Sequence, residues 1–429
     1  MRYYSTRNKN DSFSFAAASL AGLAPDGGLF VPEEVPQLKA AARSSLGKMA
    51  YPDIAFEIIA PWVADDIPKA ALSEMLQSAY PFSAPLASAG DRMVLELFHG
   101  PTAAFKDFGA RFMARAFSYL RRGEDKPLKI LVATSGDTGG AVADGFFGVE
   151  GINVTVLYPR GRVSPLQERQ IAGLGGNTSA IAVEGSFDDC QRLVKQAFAD
   201  AELKEKFVLS SANSINISRL IPQAAYYAAA AGGATDGIFS VPSGNFGNLT
   251  AGLYAWKMGA PIGKFIAATN INKTVPDYLE SGSYEERLSK ATLSNAMDVG
   301  APSNFERMAS HFSWEEMRGI IMGASVSDDE TKETIAGVFS RCGYYLDPHS
   351  AVAWKAADKL IEAGKLAKGK ALAIFSTAHP AKFAETVEPL TGPVPVPLSL
   401  QKAMERVVNA KTIPAKLDTL KDVLSKENL

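Results

Sequence analysis

The sequence has few cysteines and histidines, the side chains that build disulfide frameworks and most transition-metal sites. Only two cysteines, Cys190 and Cys342, occur among 429 residues, too few for a fold held together by disulfides. Cys190 shares a helical face with apolar residues, and both thiols are predicted to be buried and unpaired. The four histidines are far apart and lack metal-ligand spacing. No metal site is predicted.

Long apolar runs and an excess of charge of one sign are also absent. No apolar stretch reaches the roughly 18 residues that a membrane-spanning helix needs, and residues 1–10 lack the apolar core of a signal peptide. Lys and Arg number 44 and Asp and Glu 46, which gives a formal net charge of -2. This balance predicts neither nucleic acid nor a membrane as a partner. A soluble cytoplasmic protein of two or three domains is expected.

One lysine, Lys106, lies among phenylalanines where a turn gives way to a predicted helix. The segment from Leu97 to Gly109 reads Leu-Phe-His-Gly-Pro-Thr-Ala-Ala-Phe-Lys-Asp-Phe-Gly. Burial disfavours an ammonium group and can lower a lysine pKa by several units, which leaves a free amine able to form a Schiff base with an aldehyde cofactor. The alternative is a structural lysine whose methylenes cover the core while its amine reaches water.

A second segment, residues 237–248, joins a short apolar run to a glycine-rich loop and then to a helical pattern. From Pro242 the loop reads Pro-Ser-Gly-Asn-Phe-Gly-Asn. Free backbone N–H groups and the positive end of the helix dipole predict a phosphate site there. No Gly-Lys-Ser/Thr follows and no dinucleotide fingerprint is present, so a monophosphate fits better than a nucleotide. An ordinary strand-to-helix turn is the alternative.

A third loop of the same design follows the apolar run 130–133. It carries Thr134, Ser135, Asp137 and Thr138 directly ahead of a helical pattern. These hydroxyls and the carboxyl, with the loop amides, can hold an anionic group at the start of the helix. The alternative is helix capping, for which Ser, Thr and Asp are the usual residues.

A fourth segment, residues 211–219, collects small polar donors and one arginine. Asn213 and Ser214 precede Arg219, whose guanidinium can bind an anionic substrate through two parallel hydrogen bonds. The alternative is a simple turn followed by a surface arginine.

Together these segments resemble the threonine synthase family, pyridoxal-phosphate enzymes of the tryptophan-synthase-beta fold group. The resemblance covers nearly the whole chain and is closest to the microbial type without a regulatory extension. It rests on residues 27–32, 97–109, 134–139, 157–161, 211–219, 241–248, 265–270, 291–298 and 376–383. One glycine loop alone would match by chance, but so many segments in the family's order do not.

The middle of the chain alternates short apolar runs with amphipathic stretches, which predicts parallel sheet with helical crossovers. The runs are residues 129–134, 154–158, 180–183, 238–241, 265–268 and 371–375. The resemblance implies an α/β fold of PLP fold type II, with two open, mainly parallel twisted sheets and helices on both faces. Its implied domains are an N-terminal mostly helical domain (1–85), a large cofactor-binding domain with C-terminal helices (86–129 and 214–429), and a small inserted α/β domain (130–213).

The resemblance also implies a cofactor, pyridoxal 5'-phosphate (PLP), and a reaction. O-phospho-L-homoserine and water become L-threonine and phosphate by elimination and beta-hydration, the last step of threonine biosynthesis. Lys106 holds the cofactor and acts as the general base. The implied cofactor-binding residues are Lys106, Ser243, Gly244, Asn245, Phe246, Gly247, Asn248 and Thr377, the last against the pyridine nitrogen. The implied substrate-binding residues are Thr134, Ser135, Asp137, Thr138, Asn213, Ser214 and Arg219.

Two questions stay open at this point. More distant relatives have asparagine at the position of Asp137, so the sequence does not decide whether Asp137 is ionised. The oligomeric state is expected to be a monomer or a weak homo-oligomer.

Other enzyme classes share part of the pattern. A threonine or serine dehydratase, or a cysteine-synthase-like enzyme, would share Lys106 and the glycine loop but lack the second anion site at residues 213–219. A catalytically silent binding protein is disfavoured by the presence of Lys106. A nucleotide-dependent oxidoreductase is disfavoured because the dinucleotide fingerprint is missing.

Overall fold

The first part of the chain is mostly helical. In the computed structural model, which describes residues 1–232, 237–367 and 371–426, two short antiparallel strands pair here and the remaining elements are helices. The elements are β1 (Tyr3–Ser5), α1 (Phe15–Ala21), β2 (Phe30–Pro32), α2 (Ala40–Ser45), α3 (Tyr51–Val63) and α4 (Lys69–Ala79). The predicted helical character of this region is confirmed.

From residue 86 onward strands and helices alternate. In chain order the elements are β3 (Leu86–Ala89), β4 (Arg92–Glu96), α5 (Lys106–Leu120), β5 (Leu128–Ala133), α6 (Asp137–Phe146), β6 (Ile152–Pro159), α7 (Pro165–Ala172), β7 (Thr178–Glu184), α8 (Phe187–Ala199), α9 (Ala201–Lys206), β8 (Val208–Ser211), α10 (Ile217–Leu220), α11 (Ala224–Ala231), β9 (Gly237–Pro242), α12 (Gly247–Lys257), β10 (Ile262–Thr269), α13 (Thr274–Ser281), α14 (Asn304–His311), α15 (Trp314–Ile320), β11 (Ile321–Ser325), α16 (Asp328–Cys342), α17 (Pro348–Glu362), β12 (Leu372–Ser376), α18 (Ala384–Thr391), α19 (Leu398–Met404), β13 (Lys411–Pro414) and α20 (Leu417–Lys426). Short 3-10 helices lie at Leu46–Lys48, Ile221–Gln223, Asn295–Met297 and Pro380–Phe383.

The larger sheet has the strand order β11-β10-β9-β12-β4-β3 within the described residues. All neighbouring strands are parallel except β3, which pairs with β4 in the antiparallel direction. Because the carboxyl ends of parallel strands lie at one edge of a sheet, the loops that follow β4, β12 and β9 are neighbours. These loops lead to Lys106, contain Thr377 and contain residues 243–246, respectively.

The smaller sheet has the order β13-β7-β6-β5-β8, with every pair parallel. The predicted loops at residues 134–136 and 212–216 follow its adjacent strands β5 and β8. The six apolar runs named in the sequence all form strands of the two sheets. The predicted α/β class with two mainly parallel sheets is therefore confirmed.

The end of the described chain pairs with the smaller sheet. Residues 214–429 were expected to belong to the large domain as a whole, but β13 pairs with β7 of the smaller sheet, Lys411 opposite Ile181. The physical reason is the burial of apolar side chains, because Ile413, Leu420 and Leu424 pack in one buried cluster with residues of that sheet and of α8. The domain boundaries stay a prediction.

Alternating residues along each central strand pack on opposite faces of its sheet. Phe239 and Phe265 face a cluster shared with the N-terminal helices, whereas Ile238 and Ile266 face the cluster beneath α16 and α17. Burial of each such side chain stabilises the fold by about 1.5–3 kcal/mol. The predicted buried thiol is confirmed for Cys190 and wrong for Cys342, which is exposed at the end of α16.

Candidate active site

Lys106 is the first residue of α5, and the turn in front of it is fixed by its neighbour Asp107. The Asp107 carboxylate accepts hydrogen bonds from the backbone N of Thr102 at 2.9 Å and from its hydroxyl at 2.6 Å. Gly100 is required beside this contact, because a Cβ there would lie 2.3 Å from the Asp107 carboxylate. The turn is therefore built so that the helix starts at the lysine.

The electrostatic environment of Lys106 favours a free amine. Burial lowers its pKa to about 8, the carboxylate of Asp137 acts in the opposite direction, and Arg219 and Lys382 lower the pKa further. The ammonium lies 5.6 Å from the centre of the Phe105 ring. A substantial fraction of unprotonated lysine at neutral to slightly basic pH is what a nucleophile and a general base need.

Thr377 lies directly against the lysine turn. It follows β12, is 6% exposed, and its carbonyl oxygen accepts a hydrogen bond from the backbone N of Phe105 at 2.8 Å. A β-bridge between Ala104 and Ala378 extends this contact. The structure thus brings together Lys106 and Thr377, which are far apart in the sequence.

The glycine-rich loop leads from β9 into α12 as predicted. Phe246 adopts a left-handed conformation with φ of 58°, so the loop turns sharply just before the first residue of the helix, Gly247. Gly244 lies against the chain at Met297, where a Cβ would come within 2.7 Å of the Met297 Cα. Ser243 is buried and its hydroxyl donates to Val241 O at 2.9 Å. This geometry presents backbone N–H groups at a helix N-terminus, the arrangement that binds phosphate.

Asn245 joins the glycine-rich loop to the predicted substrate segment. Its side-chain Nδ2 donates to the hydroxyl of Ser214 at 2.8 Å, and its Oδ1 accepts from the backbone N of Ser303 at 2.6 Å. The Asn245 amide is thus engaged in contacts between loops. The two predicted anion sites therefore touch each other through this pair.

Asn248 is held by two buried tyrosines that the sequence reasoning did not single out. The hydroxyls of Tyr226 and Tyr227, both on α11, donate to Asn248 Oδ1 at 2.7 and 2.8 Å. Burial raises the pKa of both phenols well above the usual range, so they remain donors. The Asn248 Nδ2 group is buried and has no hydrogen-bond partner among the described residues. An amide held through its oxygen, with an unpaired donor at the start of a helix, fits a phosphate-bearing cofactor.

In the third predicted loop, one hydroxyl bonds backbone groups of the loop itself and two other hydroxyls are accessible. The Thr134 hydroxyl accepts hydrogen bonds from the backbone N of Gly136 at 3.0 Å and of Gly139 at 2.9 Å. Thr134 is 1% exposed, so its side chain acts inside the loop as the capping interpretation expects. Ser135 and Thr138 are partly exposed. They are the hydroxyls of this loop that a ligand can reach.

Asp137 forms a buried ion pair with Lys382. Lys382 Nζ and Gln167 Nε2 approach Asp137 Oδ1 at 2.8 and 2.9 Å. Burial alone would raise the pKa of this carboxyl, but Lys382 and Lys106 outweigh burial and hold the pKa well below its usual range. Asp137 is therefore ionised, which answers the question that the sequence left open. Lys382, like Lys106, is a lysine among apolar residues in a segment that follows a strand. No role for Lys382 was predicted from the sequence.

Arg219 is more deeply buried than an open substrate site would suggest. It is 1% exposed, its Nη1 donates to Ala212 O at 2.5 Å, and its Nε is buried with no hydrogen-bond partner in the described chain. It packs against α5, since a Cβ on Gly109 would lie 3.0 Å from Arg219 Nε. Burial lowers its pKa to about 10, so it stays charged at neutral pH. An unpaired guanidinium N–H close to the lysine helix can bind an anion.

The segment 213–219 is supported from two sides. Asn213 Nδ2 donates to Ala133 O at 3.1 Å and ties the segment to the end of β5. The buried guanidinium of Arg307 donates to Ile215 O and to Phe30 O, both at 2.9 Å, and links the segment to β2. The sequence reasoning missed Arg307, because nothing in its local pattern shows which carbonyls it contacts.

Family models match three parts of the chain. The model described as pyridoxal-phosphate dependent enzyme matches residues 93–377, the threonine synthase N terminus matches residues 2–80, and the threonine synthase C-terminal model matches residues 350–424. Threonine synthase of Escherichia coli strain K12 is 42% identical over 431 residues, which span 99% of each chain. The chain belongs to the threonine synthase family.

Solved structures of the threonine synthase family agree with this assignment. The crystal structure of the Escherichia coli threonine synthase matches with a TM-score of 0.91 at 41% identity and covers 100% of both chains. PLP-bound threonine synthase from Brucella melitensis matches with a TM-score of 0.91 at 37% identity, over 99% of this chain and 98% of that one. These matches confirm the predicted family, PLP fold type II and the dependence on PLP. They also confirm the predicted function of a threonine synthase, a carbon-oxygen lyase of threonine biosynthesis.

Neither a metal cluster nor a membrane-spanning helix is present in the described residues. No group of three or more His, Cys, Asp or Glu side chains in this part of the chain could hold a metal ion. Among the same residues, no helix is long and apolar enough to cross a membrane.

Proposed function

We propose that the residues around Lys106 convert O-phospho-L-homoserine and water into L-threonine and phosphate with PLP as the cofactor. One observation carries the proposal. The loops after three adjacent parallel strands, β4, β12 and β9, bring together a partly buried lysine, a threonine and a glycine-rich helix start, and Phe105 N donates to Thr377 O at 2.8 Å. These are the three groups needed to hold an aldehyde, a ring nitrogen and a phosphate.

The glycine-rich loop is the proposed phosphate site of the cofactor. Backbone N–H groups from Gly244 to Gly247 and the Nδ2 of Asn248 donate to the phosphate oxygens, and the helix dipole of α12 favours the negative charge. The backbone N–H of Ser243 already donates to Ala268 O at 2.8 Å, so Ser243 fixes the start of the loop. The side chain of Asn245 acts indirectly, because its amide already bonds Ser214 and Ser303. The left-handed conformation of Phe246, with φ of 58°, turns the chain from this loop into α12.

Lys106 and Thr377 act at the reactive end. Lys106 Nζ attaches the cofactor covalently and, when released by substrate, takes and returns protons, for which a pKa of about 8 is suited. The Thr377 hydroxyl bonds the pyridine nitrogen and, unlike a carboxylate, does not strongly favour a protonated ring. When bound, PLP serves as the electron sink that makes removal of the substrate's alpha proton possible.

The substrate is proposed to bind between the two sheets. Arg219 Nε, together with Asn213, Ser214 and Thr138, holds the phosphate that leaves when the Cγ–O bond breaks. The buried, unpaired Arg219 Nε supports this role. Ser135 and the amides near Thr134 bind the substrate carboxylate, while the Thr134 hydroxyl stays in its capping contacts.

Asp137 faces the ring hydroxyl of the cofactor in this proposal. Because Asp137 is ionised, its carboxylate accepts a hydrogen bond there, where asparagine would offer a donor. A cytoplasmic location, a monomeric or weakly associated state and the absence of nucleic-acid partners stay predictions.

Reductive labelling tests the assignment of Lys106. The purified protein, loaded with PLP, is reduced with borohydride, digested and mapped by mass spectrometry. The label is expected on Lys106, and incubation of unreduced enzyme with O-phospho-L-homoserine is expected to release threonine and phosphate in equal amounts. A label on another lysine, or phosphate release without threonine, would refute the proposal.

A further inference from the structure

The buried ion pair between Lys382 and Asp137 joins the two sheets beside the candidate active site. Lys382 lies in the short helix Pro380–Phe383 that follows β12 of the larger sheet, whereas Asp137 begins α6 after β5 of the smaller sheet. The Lys382 side chain is fully buried, and its Nζ lies 2.8 Å from Asp137 Oδ1 and 2.8 Å from Thr102 O. One ammonium group therefore contacts both sheets' loops and the turn in front of Lys106.

We propose that Lys382 is a positioning residue for the reaction, fixing Asp137 and the Thr102 turn relative to each other and supplying the countercharge for the Asp137 carboxylate. The inference rests on the proposed function of Lys106 and Asp137. Lys382 itself is not proposed to touch the substrate. It acts through the two groups that it binds.

The first line of support is the anchoring of Thr102. Its N and Oγ1 are taken by Asp107, and its carbonyl oxygen accepts from Lys382 Nζ and from Gln170 Nε2 at 3.1 Å. Every polar group of Thr102 is thus occupied. Since Asp107 directly follows Lys106, the lysine lies between two residues of one hydrogen-bonded unit, and Lys382 connects that unit to the larger sheet's helix Pro380–Phe383.

The second line of support is the placement of charge. Lys382 Nζ and Gln167 Nε2 both approach Asp137 Oδ1, at 2.8 and 2.9 Å, so the ammonium lies directly against the carboxylate. The charged groups that act on Lys106 are Asp137, Arg219 and Lys382, with opposite effects of the carboxylate and the two cations. Loss of Lys382 and loss of the Asp137 charge must therefore change the proton affinity of Lys106 in opposite directions.

The test measures the protonation of Lys106 in the full-length protein freed of cofactor. The rate at which an amine-acylating reagent labels Lys106 is followed by mass spectrometry as a function of pH. In Lys382→Met the Asp137 carboxylate loses its countercharge and stabilises the Lys106 ammonium more strongly, so the labelling midpoint is expected to rise by about one pH unit. In Asp137→Asn the midpoint is expected to fall by about the same amount, and the double variant Lys382→Met with Asp137→Asn is expected to lie near the wild type.

A matched control separates this effect from the loss of any lysine ion pair. Lys359 also contacts one carboxylate and one carbonyl, Glu330 at 2.7 Å and Ser325 O at 2.8 Å, and it is not among the groups that shift the pKa of Lys106. Lys359→Met is expected to leave the Lys106 midpoint unchanged. Shifts of the same sign in both single variants, or no shift in either, would overturn the proposal.

Two outcomes keep the test decisive. If Lys382→Met fails to fold, the double variant, which buries no unpaired charge, is compared with Asp137→Asn, and equal midpoints in those two would refute a role for Lys382. Borohydride mapping of the wild type separates failure of the proposed function from failure of the role of Lys382. A label away from Lys106 would refute the proposed function, whereas a label on Lys106 without opposite shifts would refute only the role of Lys382.

Discussion

Removal of the two tyrosine hydroxyls that hold Asn248 gives a quantitative prediction. In Tyr226→Phe or Tyr227→Phe alone, Asn248 Oδ1 keeps one donor, so each variant is expected to lose about 1 kcal/mol of unfolding free energy, the usual net value of one hydrogen bond. The double variant leaves a buried carbonyl oxygen unpaired, which adds a penalty of about 1–3 kcal/mol. Its total loss is expected to be about 3–5 kcal/mol, more than the sum of the single losses.

The affinity for PLP measures how the contact of Tyr226 and Tyr227 with Asn248 affects cofactor binding. Once the amide can rotate, its Nδ2 no longer points in one direction, and the PLP dissociation constant of the double variant is expected to rise about fivefold to tenfold. Urea unfolding of the cofactor-free protein gives the first quantity, and spectroscopic titration with PLP gives the second.

Tyr254 supplies a matched control for these substitutions. It is also fully buried, but its hydroxyl has no hydrogen-bond partner in the described part of the chain. Tyr254→Phe is expected to change the unfolding free energy by less than about 0.5 kcal/mol or to stabilise slightly, because it removes an unpaired polar group. Strictly additive losses at Tyr226 and Tyr227, or an equal loss at Tyr254, would refute the reasoning.

Three further predictions address the proposed chemistry. Arg219→Ala is expected to keep the cofactor spectrum but weaken use of O-phospho-L-homoserine by about 2–5 kcal/mol in kcat/KM; an equal loss of PLP binding would show that the two phosphate sites are exchanged. Thr377→Asp is expected to stabilise a protonated ring and to divert more substrate to 2-oxobutanoate, measured as its ratio to threonine; lower thermal stability with unchanged spectrum and products would make Thr377 a cap. Because the amine of Lys106 is free above its pKa of about 8, the rate of PLP capture by the cofactor-free protein is expected to rise about tenfold from pH 7 to pH 9 and then level off; a rise that continues beyond pH 10 would indicate an ordinary lysine.

The sequence predicted those parts of the fold in which a local pattern coincides with the final environment. The six apolar runs became strands because each is buried on both faces of a sheet. The short strand β13 was not predicted, because its sequence Lys-Thr-Ile-Pro contains only one large apolar residue. It forms a strand through its pairing with β7. Its place in the smaller sheet depends on tertiary contacts that no local pattern contains.

The same distinction applies to the candidate site. Lys106 and the glycine-rich loop could be found because each combines an unusual composition with a strand-to-helix transition. Tyr226 and Tyr227 lie in an alanine-rich run whose pattern predicts only a buried helix. The role of their hydroxyls depends on a tertiary contact with Asn248, which lies on another helix. For Thr134 the capping alternative describes the hydroxyl correctly, because the nearest donors are backbone groups of its own loop.

The pairing of β13 with β7 also bears on how the chain acquires its structure during synthesis. The strands β5 to β8 emerge early from a ribosome, but the edge of their sheet at β7 is covered only when residues 411–414 follow. Until then that edge offers unpaired N–H and C=O groups to other chains, a recognised route to misassembly. Chains released after truncation before residue 411 should therefore depend on chaperones more than the full-length chain.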